Sequence, residues 1–167
     1  MEKTINEMME DYFSLKDIPK RNALLMKITF QCPDDSKEFF FKAFKKERYL
    51  DMKLTALRGY SNYASEDEVA ILTKKLLELL KKIPQHTPYA YEEYEIMRSA
   101  FLLPYLIDKY HYDCFYELKE QLDKQYNDLP SCFKGIFSCD ENGNAYSIRD
   151  TEEVKKSIDE FFKNKST

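Results

Sequence analysis

This 167-residue sequence has no tryptophan, only two histidines and only three glycines. Two of the glycines, Gly135 and Gly143, fall in one late stretch, so the rest of the chain is poor in the residue that tight turns require. That scarcity excludes a many-stranded all-β fold and favours helices joined by short connections. The two histidines, His86 and His111, leave little for acid–base chemistry, and neither lies beside an evident nucleophile. There is no Gly-x-Ser-x-Gly elbow and no glycine-rich phosphate loop. The expectation is a protein that is not an enzyme and uses no cofactor. Nor is there an apolar run of about eighteen residues that could span a bilayer. The start, Met1 to Glu7, lacks the basic segment and apolar run of a secretory leader, so a cytoplasmic protein with reduced thiols is expected.

What is present is a 43% share of hydrophobic residues beside a 34% share of charged ones, which argues for a packed core under a well-solvated surface. This length suits a single domain spanning residues 1–167, large enough to bury a core without disulfides or metal. The net charge of −4 argues against non-specific nucleic-acid binding as the main activity. Charge is uneven, however. Lys37, Lys42, Lys45, Lys46, Arg48, Lys53 and Arg58 make residues 37–58 basic, whereas 2–17 and 113–128 are acidic. Such blocks commonly reflect helix ends and solvated faces.

Helix signals run along the chain. Thr4 and Glu7 form a capping box ahead of Ile5, Met8, Met9, Tyr12 and Phe13. Pro19 sits where a second helix would start, and Cys32-Pro33 would end it after Leu24, Leu25, Ile28 and Phe30. Asp35 and Glu38 can cap a third helix built on Phe39, Phe40, Phe41 and Phe44. Successive helical residues turn by about 100°, so its three consecutive phenylalanines cannot all face one way. A helix from Tyr49 to Ala64 follows. Ser65 and Glu68 then open another to Ile83, whose apolar set is broad enough to predict cover on two sides. Pro84 and Pro88 bracket a break. A long aromatic helix from Tyr89 to Tyr110 is predicted to kink or divide at Pro104. One more helix runs from Asp113 to about Leu129. Asn142-Gly143 then predicts a small β-hairpin or ordered loop within 131–149, before a last helix over 150–163 capped by Asp150 and Glu153.

His111, Cys114, Cys132 and Cys139 are zinc-type ligands, but their spacing matches no tight knuckle, and cysteines packed as small hydrophobes explain them better. No metal site is expected. Asp140 to Asn144 lacks the frame of a calcium loop, and turn chemistry accounts for it.

Two segments carry a family resemblance. Leu102-Leu103-Pro104-Tyr105-Leu106-Ile107 resembles the first helix of a HEAT repeat with its kinking proline. Asp51 to Tyr60 resembles the second helix, with Lys53 at the arginine position. The likeness to HEAT and armadillo arrays covers about residues 18–129. It implies an all-α, short right-handed superhelix of seven or eight helices whose concave side binds another protein. In size, acidity and tyrosine content the chain also resembles small HEAT-like bacterial proteins, some of which are immunity proteins against toxins.

Thirteen tyrosines are a skewed aromatic choice, and tyrosine is enriched at interfaces. Tyr89, Tyr110 and Tyr112, together with Glu92, Glu93 and Glu95, are the candidate partner-binding residues; Tyr91 and Tyr94 fit a core better. An acidic, tyrosine-rich face would suit a basic protein partner. The alternative is a HEAT-like nucleic-acid-binding or base-repair protein that uses the basic 37–58 segment.

Overall fold

The computed structural model describes residues 1–82, 97, 101–139 and 145–165. Among them are eight α-helices and one two-stranded hairpin, so the all-α expectation holds at the level of class. The helices range from eight to seventeen residues and show no repeating pair of lengths.

Helix α1 (Ile5–Ser14) starts with the expected box: the Thr4 hydroxyl accepts from the Glu7 amide, and the Glu7 carboxylate accepts from the Thr4 amide at 2.8 Å. In α2 (Ile18–Gln31) the Asp17 carboxylate accepts from the Lys20 amide at 2.9 Å, and Pro19 occupies the first turn, where no intrahelical donor is needed. Helix α3 (Lys37–Lys46) departs from the expectation. Ser36, not Asp35, is its N-cap, with no side-chain capping bond. Asp35 lies at φ 51°, a left-handed conformation that aspartate tolerates, and the buried Ser36 hydroxyl turns back to donate to the Asp34 carbonyl. Of the three adjacent rings, Phe39 and Phe40 are buried while Phe41 turns outward, half-buried beside Tyr60 with the Lys45 ammonium 4.3 Å from its centroid.

Helix α4 (Leu50–Tyr60) is the axis of the molecule. Every residue in it except Arg58 is buried, including Asp51, Lys53 and Thr55, and it packs on α2, α3 and α5 (Glu66–Lys82). Gly59 permits this: a Cβ there would enter the Phe40 ring. The capping box of α5 forms as expected, with the Glu68 amide donating to the Ser65 hydroxyl and the Ser65 amide donating to the Glu68 carboxylate at 3.0 Å. Its apolar set is less fully covered than the sequence predicts. Val69, Leu72 and Leu76 are buried between α4 and a later helix, but Ile71 stays 57% exposed on the outer side.

Most of the long aromatic helix lies outside the described residues. Within them, α6 (Leu103–Tyr110) begins with Pro104 in its first turn, so a helix boundary falls at the proline. His111, at φ 51°, ends α6, and α7 (Asp113–Asp128) follows, burying Phe115, Leu118 and Leu122. After a 3₁₀ turn at Ser131–Phe133, strands β1 (Phe137–Cys139) and β2 (Ala145–Ser147) pair antiparallel, with Ser138 opposite Tyr146. Helix α8 (Thr151–Lys165) is capped by the Asp150 carboxylate, which accepts from the Glu153 amide at 3.0 Å. Phe133, Ile136 and Val154 are buried here, outside the main core cluster.

One polar group ties the N-terminal helices together. Glu47, just past the end of α3, has a fully buried side chain. Arg21 of α2 grips it with two parallel bonds, Nε to Oε1 at 2.8 Å and Nη2 to Oε2 at 2.9 Å. The Tyr12 hydroxyl of α1 donates to the same carboxylate, and Arg21 Nη1 donates to the Leu15 carbonyl at 3.2 Å. Removing one member of a buried ion pair strands the other charge, which costs about 3–5 kcal/mol. Glu47→Gln is therefore expected to lower stability by about that amount in urea denaturation. The triple substitution Tyr12→Phe, Arg21→Met and Glu47→Leu is expected to recover most of the loss, because neither a charge nor the buried Tyr12 hydroxyl is then left unpaired.

Candidate functional site

The α6–α7 corner is the place where the predicted partner-binding residues can be examined. Tyr89, Glu92, Glu93 and Glu95 lie outside the described residues; Tyr110 and Tyr112 lie inside them. These two flank the left-handed His111, which brings their rings together at 5.2 Å between centroids, nearly parallel. Tyr112 stacks in turn on Phe115 at 5.6 Å. Both lie near the surface, half-buried, with their hydroxyls reaching the α4–α5 turn. Tyr112 donates to the Glu66 carbonyl at 3.1 Å and Tyr110 to the Ser61 carbonyl at 3.5 Å. Burial, reinforced by Glu66, pushes the Tyr112 hydroxyl up to about 12. The pair thus fastens the corner to the α4–α5 turn.

Two arms extend from this corner. The first is cationic and aromatic. The half-buried Arg58 guanidinium lies 4.0 Å from the Phe101 ring centroid, 4.1 Å from that of Tyr105 and 5.2 Å from that of Phe30, and it donates to the Phe101 carbonyl at 2.9 Å. Phe30, which the sequence places inside, is 41% exposed and stacks on Phe101 at 4.5 Å. The exposed Lys109 ammonium lies 5.8 Å from the Tyr105 ring and 5.5 Å from that of Tyr110. It also donates to the Ser61 carbonyl and hydroxyl, each at 3.2 Å.

The second arm is acidic and runs along α7. Tyr116 (47% exposed), Glu120, Asp123 and Asn127 follow the i, i+4, i+7, i+11 pattern beside the buried stripe and, with Lys119, Lys124 and Asp128, line an open depression of about 690 Å³. Lys119 and Asp123 pair across one turn at 2.9 Å, and His111 Nδ1 lies 3.3 Å from the Tyr116 hydroxyl. Sequence reasoning missed Tyr116, Glu120 and Asp123. The signal was available in their spacing, one or two positions on from Phe115, Leu118 and Leu122.

The cations of the basic 37–58 segment are not all exposed. Lys42, Lys45, Lys46 and Arg48 are exposed, but Lys53 is buried, donating to the Phe44 carbonyl under the Phe44 ring, and burial lowers its pKa. Arg58 belongs to the aromatic arm instead. Among the described residues no three histidine, cysteine or carboxylate side chains converge, and burial pushes the Cys114 thiol up, away from the thiolate that a metal needs. The Cys139 side chain and residues 140–144 lie outside the described residues.

The Ser65–Glu68 box supports the corner because it fixes the start of α5, where the Glu66 carbonyl receives Tyr112. The Lys37 ammonium, followed by the Ser65 amide, holds the Glu68 carboxyl down at about 2. A carboxyl depressed on folding adds stability above its unfolded value of 4.5, and that contribution fades as pH falls towards about 2. Glu68→Gln is accordingly expected to be less stable than the parent at neutral pH. The gap should close across that acid window when the two are compared by denaturation at each pH. A gap that did not change with pH would contradict the assignment.

Comparison of the chain with protein-family models, curated proteins and solved structures finds no match.

Proposed function

We propose that this protein binds another protein without catalysis, presenting the α6–α7 corner to a partner of basic character. The observation that carries the reading is the acidic arm. An exposed tyrosine and the carboxylates of Glu120, Asp123 and Asp128, interspersed with Lys119 and Lys124, line an open depression on a helix whose other side is packed. Tyrosine contributes large contact area with little rotamer entropy to lose, and carboxylates around it steer a cationic partner and set specificity. The absence of catalysis is supported by His111, whose ring pairs with a tyrosine rather than with a nucleophile and an orienting carboxylate.

The same proposal extends to architecture and setting. It includes a short right-handed stack of hairpins offering one curved side, which rests on the sequence resemblance of residues 51–60 and 102–107 alone. In that setting the protein is a regulatory or toxin-neutralising binder in a bacterial cytosol. A nucleic-acid role is disfavoured by the inward turn of Lys53 and the packing of Arg58.

The test captures partners from host extract on the immobilised parent protein and on a Glu120→Lys, Asp123→Lys variant. One basic protein retained by the parent, released by moderate salt and bound at least about tenfold more weakly by the variant is the expected result. Equal capture by both, or firm retention of the parent on heparin, would contradict it.

A further inference from the structure

We propose that the arm formed by Arg58, Tyr105 and Lys109 is a second recognition surface, one that takes a carboxylate-bearing acidic segment of a protein. The inference rests on the protein-binding reading and adds a cationic site built from α4 and α6. Arg58 and Lys109 come from α4 and α6 and approach the same Tyr105 ring, at 4.1 Å and 5.8 Å from its centroid. Among the described residues neither cation has a carboxylate partner, unlike Arg21, Lys37 and Lys119. A half-buried guanidinium is costly to leave without a counter-charge.

Here the rings of Phe101 and Tyr105, with the Phe101 carbonyl, hold Arg58 in place without neutralising it. A fork fixed on aromatic faces loses little freedom when it grips a planar carboxylate with two bonds. Lys109, exposed and anchored to Ser61, supplies a second charge. Phe30, 41% exposed and stacked on Phe101, gives an apolar edge for a hydrophobic residue of the same segment. Two cations are too few to neutralise a phosphate backbone, and the chain's net charge of −4 opposes one. A peptide with separated carboxylates fits this charge count.

The test measures anisotropy of labelled polyglutamate, polylysine and oligothymidylate with the full chain at low salt. Polyglutamate is expected to bind, with Lys109→Glu weakening it about tenfold and Arg58→Lys, which keeps the charge and removes the fork, weakening it by a similar factor. Polylysine binding should be untouched by Lys109→Glu and reduced by Glu120→Lys. Unchanged polyglutamate binding in Lys109→Glu, with polylysine behaving as stated, would overturn this second surface and leave the acidic arm standing. Tighter binding of oligothymidylate, displacing polyglutamate, would overturn it in favour of nucleic acid. Polylysine that fails to bind would overturn the protein-binding reading, and the second surface with it.

Discussion

The buried Glu47 carboxylate is the constraint on which the N-terminal half of the molecule depends. A charge with a fully enclosed side chain must find its counter-charge and its donors inside the protein. It draws Arg21 from α2 and Tyr12 from α1 to the end of α3, and so fixes three helices at one point. The Tyr12 hydroxyl is held in its neutral, donating form by burial and by the adjacent carboxylate, which raise its pKa. With that point fixed, α4 can lie in the trough formed by α2 and α3, and Gly59 lets it approach the Phe40 ring closely.

The encirclement of α4 explains the character of the site. A helix buried on all sides cannot present a binding surface. It presents only what reaches its margin, the Arg58 guanidinium and the carbonyl of Ser61 just beyond its end. Helix α6 docks on that margin through Lys109, Tyr110 and the Arg58–Phe101 contact, and α7 docks on α6 and α5. The corner therefore rests on the rigid axis rather than on loops, which suits recognition by preformed geometry.

Local signals made much of this legible in the sequence. Thr4 with Glu7, Ser65 with Glu68 and Asp150 all cap helices as their spacing implies, and Pro104 marks a helix start, because capping and proline geometry act within one turn. The antiparallel pairing of 137–139 with 145–147 falls where the Asn142-Gly143 signal predicts a hairpin. What could not be read were pairings across long separations. Glu47 and Lys53 look like ordinary surface charges, yet both are buried, since the partner of Glu47 lies 26 residues away at Arg21 and Lys53 donates to a carbonyl in another helix. Tyr110 and Tyr112 look like surface tyrosines, but their hydroxyls go to Ser61 and Glu66, more than forty residues upstream.

The central claim, that the corner where α6 meets α7 is the face that meets a protein partner, is tested most directly by site-specific photocrosslinking in host cells. A benzophenone side chain would replace Tyr116 in one variant and Ile71, exposed on the outer side of α5, in another. The account predicts one discrete protein adduct from position 116, lost when Glu120 is reversed to lysine, and none from position 71. An adduct from position 71 alone, or one from position 116 that ignores the charge reversal, would contradict it.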